Sequence, residues 1–157
     1  MFRSLPLEGL AESAQALARA MEGTSDQREA FWDNRIEPFL HDVWPKARDV
    51  ATAAVADDLA RLSIGARARF PRAVEVVRPW LTAVQHSDYL VHLMAEARLC
   101  PQFPASSLEL LFVIVDRNSW PARELGHCLD EIEIAQRELA ADQRFVDLRT
   151  YWRRRGE

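Results

Sequence analysis

The residues able to do chemistry are few in kind and scattered along the chain. Four histidines (His41, His86, His92 and His127) and two cysteines (Cys100 and Cys128) are the groups that could hold a metal or serve as nucleophile and base. A zinc site needs three or four converging ligands, usually at recognisable spacing, and neither CxxC nor HExxH occurs here. Glu124 and His127 form a single ExxH, with Glu131 a turn further on. That spacing sets a carboxylate and an imidazole on one side of a helix, as carboxylate-bridged dimetal bundles require. Those bundles need a second such motif and two more glutamates, so Glu124, His127 and Glu131 read as a solvated polar cluster. Glu37 precedes His41 by one helical turn and could orient it as a base, but no activated nucleophile or glycine-supported oxyanion site accompanies the pair. Glycine occurs five times in the whole chain, and Walker, Rossmann and EF-hand patterns are absent. No metal and no cofactor is expected. A catalytic alternative would need a cleft joining Glu37, His41 or His127 to further polar groups.

Arginine chemistry is more pronounced. One lysine, Lys46, stands against nineteen arginines, a bias that GC-rich coding also produces. Arg67, Arg69 and Arg72 surround Phe70-Pro71, with Arg61 and Arg78 close by and Glu75 the one acidic residue between positions 61 and 78. The last residues read RTYWRRRGE, placing Arg153, Arg154 and Arg155 beside Tyr151 and Trp152. Arginine with aromatic residues can hold phosphates and stack bases. The same types are enriched in protein-interface hot spots, and arginines in a last helical turn also favour the helix dipole. The candidate interaction surface is therefore Arg67, Arg69, Arg72, Arg78 and Trp80, flat or concave and without a deep polar pocket, together with Tyr151, Trp152, Arg153, Arg154 and Arg155. A net charge of −4 favours a protein partner over nucleic acid.

The elements that must carry these residues read as helices throughout. At 157 residues and 18.0 kDa the chain is the size of one ordinary domain, and 48% hydrophobic residues support a sizeable core. No run of apolar residues is long enough to cross a membrane. The first twenty residues carry Arg3, Glu8, Glu12 and Arg19, so no secretory signal is expected, and two cysteines make no disulfide framework. A reducing, cytoplasmic setting follows as an expectation. Leu7, Leu10, Ala14, Leu17 and Met21 mark an amphipathic first helix, and residues 27–43 a second one interrupted at Pro38. Helices are predicted over about 46–62, from Pro71 with an irregularity at Pro79, over 88–98, over 104–115 as a central buried helix, over 121–140, and from Asp142 through Trp152. Hairpin dipeptides and alternating strands are absent.

Phe70-Pro71 and Phe103-Pro104 repeat the same order of loop aromatic, helix-starting proline and apolar helix. Paired-helix arrays are organised this way, so the expected fold is all-α, with about seven helices as stacked antiparallel pairs (HEAT-like) or an irregular bundle. Residues 1–157 read as a single helical domain: 1–26 a peripheral amphipathic helix, 27–152 the core and 153–157 a basic tail that reads as a chain end.

The run WDNRIEPFLHDVWPKARD, then FPRAVEVVRPWL, FPASSLELLFVIVD and the terminal LRTYWRRRG, spanning about residues 31–156, resembles the helical C-terminal region of large multidomain bacterial proteins. Several proteins of this appearance belong to anti-phage defence systems, including ones with an N-terminal SIR2-like domain. The resemblance implies a non-catalytic regulatory, scaffold or sensing region whose effector lies elsewhere in the same polypeptide. No SIR2-type nucleotide-binding residues are present, so no NAD chemistry carries over. The expected function is a helical protein-interaction or regulatory module, with nucleic-acid binding through the arginines as the alternative and a small Glu/His enzyme as the second.

Overall fold

The computed structural model describes residues 30, 32–38, 53–85, 87–117 and 120–155. The amphipathic segment 1–26, His41 and His86 lie outside these residues. The described residues form helices without a strand, as expected, and divide into two compact units, one ending at Val84 and the other beginning at Gln85.

In the first unit a π-helical turn, Trp32–Ile36, buries Trp32 and Ile36. Helix α1 (Ala53–Gly65) combines the high helix propensity of alanine with a buried face of Ala56, Leu59, Ala60, Leu62 and Ile64. Ser63 is also buried there, and its hydroxyl donates to the Ala60 carbonyl at 2.7 Å, so that hydroxyl is satisfied. A short 3-10 turn, Arg67–Arg69, leads into α2 (Phe70–Val77), which starts with Pro71 in its first turn. Phe70, Ala73, Val74 and Val77 are buried, the helical three-and-four spacing of a core face. Pro79 cannot donate to the helix ladder, and the chain tightens into a 3-10 segment, Arg78–Ala83, with Leu81 buried. Both α2 and this segment pack on α1. The irregularity read at Pro79 is thus a change of helix type.

The second unit holds α3 (Ser87–Glu96), α4 (Leu99–Gln102), α5 (Pro104–Ile114), α6 (Leu125–Ala135) and α7 (Gln143–Arg155). Helix α3 ends where Arg98 takes a left-handed conformation, φ 55°, and turns the chain into α4, a short helix the sequence pattern did not reveal. The side-chain amide of Gln102 donates to the Arg98 carbonyl at 2.8 Å and closes this corner. Helix α5 begins at Pro104, as expected, and buries Ser107, Leu108, Leu110, Leu111 and Ile114. Phe112 and Val113 are half-buried, so the helix is not enclosed on all sides.

The long helix expected over 121–140 is shorter. It starts at Leu125, stops at Gln136, whose backbone is extended, and is followed by a 3-10 segment, Arg137–Ala141. Leu125, Cys128, Leu129 and Ile132 are buried at three- and four-residue spacing, whereas Ala135 is exposed. No glycine or proline marks this break. It is set by tertiary packing: α7 returns along α6, so the chain must reverse between them. Arg149 pairs with Asp130, and Trp152 meets Gly126; partners descend in α6 as residues ascend in α7, so the two helices are antiparallel. Tyr89, in the first turn of α3, is 53% exposed.

The Phe-Pro repeat does start a helix at each copy. Helix α3, which lies between the two copies in the chain, packs on α4, α5 and α6.

Candidate functional site

Helix α7 carries the best-formed candidate surface. Its start is fixed by Asp142, whose extended backbone and side chain form a cap. Oδ1 accepts the Arg144 backbone N–H at 2.9 Å, and both carboxylate oxygens accept from the Arg144 guanidinium, at 3.1 and 3.0 Å. The Arg144 contacts hold the Asp142 carboxyl below its usual value. Phe145, Leu148 and Tyr151 then form the buried face. Tyr151, expected on the interaction surface, is only 6% exposed. Burial pushes its phenol upward, with Asp88 and Asp116 adding and Arg155 opposing. Trp152 is half-buried, and Arg153, Arg154 and Arg155 are exposed.

Two cavities flank this helix. One of about 560 Å³ lies along α6 and α7, with Phe145, Val146 and Trp152 among its walls and Asp130, Glu133, Arg149 and Arg153 as charged groups. Arg149 is not free to serve a ligand there: it donates to Asp130 at 2.8 Å and sits 5.3 Å from the Phe145 ring centroid. The other, about 430 Å³, is lined by Arg117, Asp147, Thr150, Tyr151, Arg154 and Arg155. The Arg117 guanidinium lies 4.6 Å from the Phe112 ring centroid, and Arg155 lies 6.0 Å from that of Trp120, itself 73% exposed. Such stacking orients a guanidinium while leaving its edge donors available. Arg117 and Trp120 were not among the expected surface residues. Trp120 stands directly before a proline, and nothing in the spacing links Arg117 to the terminal arginines.

In the first unit the expected arginines are largely engaged. Arg69 makes a two-pronged contact with Asp33, at 3.0 and 3.1 Å, which lowers the Asp33 carboxyl from its usual value. Arg72 donates to Glu37 at 2.9 Å and reaches Glu75 at 3.5 Å; the Glu37 contact raises its guanidinium further. These pairs fasten the segment around Trp32–Ile36 to α2 and the turn before it. Glu37, expected to serve His41, therefore faces Arg72. Arg78 is exposed, and the side chains of Arg67 and Trp80 lie outside the described set.

The Glu124, His127 and Glu131 cluster is not one site. His127 Nε2 lies 3.2 Å from Glu131, while Glu124 lies 3.2 Å from Nδ1 of His92, whose other ring nitrogen is 3.3 Å from Glu96. Glu96 and Glu124 thus flank opposite edges of one imidazole and cannot converge on a single ion. Among the described residues no group of three His, Cys, Asp or Glu side chains is arranged to hold a metal. Cys100 and Cys128 are buried as free thiols. The Cys128 sulfur and then burial push the Cys100 thiol far up, and buried Ser107 lies beside it without a well-aligned hydrogen bond. No helix among the described residues is long and apolar enough to cross a membrane.

No protein-family model matches the chain, and no solved structure matches it. It is similar to uncharacterized protein y4cA of Sinorhizobium fredii, at 25% identity over 131 residues, 82% of this chain and 11% of that protein. The chain spans about 11% of the length of the bacterial relative it matches.

Proposed function

We propose that this chain is a non-catalytic helical interaction module that works within a longer bacterial polypeptide, with the α7 face as its docking edge. The observation that carries the reading is the exposure of Arg153, Arg154 and Arg155 on a helix anchored by buried Phe145, Leu148 and Tyr151. A rigid helix presenting arginines beside tryptophan offers large contact area with little ordering cost, the composition of interface hot spots. The similarity that covers 82% of this chain but 11% of a relative supports its use as one part of a larger protein. The resemblance to helical C-terminal regions of multidomain proteins, some of them in anti-phage defence, fits a regulatory part beside an effector. Free thiols at Cys100 and Cys128 fit a reducing compartment such as the cytoplasm.

The test is affinity capture from the source cell with the whole chain and with a variant carrying Arg153→Glu and Arg154→Glu, each after nuclease treatment. A protein, or a longer product of the same gene, retained by the native chain and lost by the variant is the expected result. Capture indifferent to the charge reversal overturns the α7 assignment. Recovery of nucleic acid alone, with binding that falls steeply as salt rises, would replace the protein partner with a nucleic acid.

A further inference from the structure

We propose that the cavity between Arg117, Arg154 and Arg155 is a binding site for an anion that carries at least two linked phosphate groups. Three guanidiniums from two distant parts of the chain line one space of about 430 Å³, a volume suited to a small ligand. None of the three makes an ion pair among the described residues, whereas Arg69, Arg72, Arg144 and Arg149 each do. The planar fork of arginine matches phosphate oxygens two at a time. Asp147 is the one carboxylate in the lining, and it accepts from the Gln143 amide at 2.8 Å. In the lining itself three guanidiniums stand against one carboxylate, with Asp88 and Asp116 near enough to act on Tyr151 from outside it; the convergent guanidinium forks suit a diphosphate better than a single carboxylate. Thr150 adds a hydroxyl donor to the wall.

The surroundings favour a small ligand over a nucleic-acid strand. Residues 85–157 carry twelve acidic and nine basic side chains, so the arginines form an island of positive charge on an acidic unit. A strand needs a continuous basic track to follow its backbone. This site lies within the second unit; it shares Arg154 and Arg155 with the proposed docking edge, and Arg117, which that edge does not include, tells the two readings apart.

The experiment is titration of the full chain with pyrophosphate, with a nucleoside diphosphate and with sulfate at matched ionic strength. Binding is read by calorimetry and by tryptophan emission, for which exposed Trp120 beside Arg155 is a reporter. Saturable binding of pyrophosphate or the nucleoside diphosphate is expected, and the tighter of the two tells whether the phosphates arrive free or on a nucleoside. Arg117→Gln and Arg154→Gln should each weaken binding by about tenfold, the loss of one charge-assisted contact. Asp147→Asn should strengthen it by several-fold, because it removes the opposing charge of the lining; circular dichroism verifies the fold of each variant. The proposal is overturned by an absence of saturable binding up to about 1 mM, by sulfate binding equally well, or by affinity that the two arginine variants leave unchanged.

Discussion

The Trp152 indole occupies the space that a side chain at Gly126 would need. A Cβ there would stand 2.6 Å from both Cε2 and Cζ2 of the indole and 2.9 Å from Nε1. Gly126 is the second residue of α6, and Trp152 lies on antiparallel α7. The missing side chain sets how closely the two helices approach and so how the arginines just beyond Trp152 are held. Gly126→Ala would gain about 1 kcal/mol of helix propensity. Overpacking against a large, half-buried ring costs about 1–3 kcal/mol and should win. Urea unfolding should show a net loss of stability, with altered tryptophan emission in the folded state. In a Trp152→Ala background the same substitution should become neutral or stabilising. An equal loss in both backgrounds would mean that the indole is not the cause.

Leu111 on α5 and Leu129 on α6 are both fully buried, and their helices pack on each other. Truncating either to alanine removes apolar contacts and leaves a cavity that closes only in part. Each substitution should cost about 2–5 kcal/mol in chemical denaturation. Arg154→Glu, on the exposed edge of α7, should change stability by less than about 0.5 kcal/mol. A loss below about 0.5 kcal/mol at Leu111 or Leu129 would contradict the packing described above.

The contrast between these positions shows what the sequence made legible. Apolar residues at three- and four-residue spacing run along the buried faces of α2, α6 and α7, because burial of a helix face leaves that period in the chain, although Tyr151 of α7 was expected on the interaction surface. Phe70-Pro71 and Phe103-Pro104 located helix starts for an equally local reason. The break at Gln136 left no such trace, since it arises from α7 packing back on α6. The site was legible in half. Arg153, Arg154 and Arg155 were visible as a run beside Trp152. Arg117 and Trp120 join them only through the packing of the α5–α6 connection near the end of α7. Likewise Glu124 was matched to His127 by helical spacing, but it precedes the first turn of α6 and meets His92 of α3 instead.

Arg98 holds a left-handed backbone between α3 and α4, with φ 55°. A side chain with a Cβ is disfavoured there by about 1–2 kcal/mol, although glycine loses more chain entropy on folding. The Gln102 amide bonds to the backbone carbonyls of Ala97 and Arg98, at 3.3 and 2.8 Å, and these survive substitution at position 98. Arg98→Gly should therefore raise stability, by up to about 1 kcal/mol, and the melting temperature should follow. A decrease would show that the Arg98 side chain contributes more than its strained backbone costs.

Cys100 and Cys128 are 1% and 0% exposed. The reactive form of cysteine is the thiolate, and the neighbouring sulfur and burial keep Cys100 protonated. A thiol reagent applied near the ordinary thiol pKa should modify the folded chain about a thousandfold more slowly than the urea-unfolded chain, since attack requires opening of the core. Both sites should react together on unfolding. Rapid labelling of one cysteine in the native state would show that the α4–α6 contact opens locally.

Asp142 gives the second unit a defined acid sensitivity. Its carboxylate caps α7 and binds Arg144, and those contacts lower its pKa in the folded chain. A lowered folded-state pKa means that the unfolded chain takes up the proton first as acid is added. The stabilisation is therefore complete above the unfolded value of about 3.9 and is lost as pH falls through the lower folded value. Asp142→Ala should cost about 0.5–2 kcal/mol near neutral pH, the usual range for a removed cap. Asp142→Asn keeps the acceptor oxygen but loses the ion pair, so its cost should be smaller. Below the folded pKa the native chain and Asp142→Asn should converge, because the native carboxyl is then neutral as well. Denaturation of all three proteins across the acid range tests this directly. A difference between the native chain and Asp142→Asn that stays constant to the lowest pH would show that the charge of Asp142 contributes nothing to holding α7.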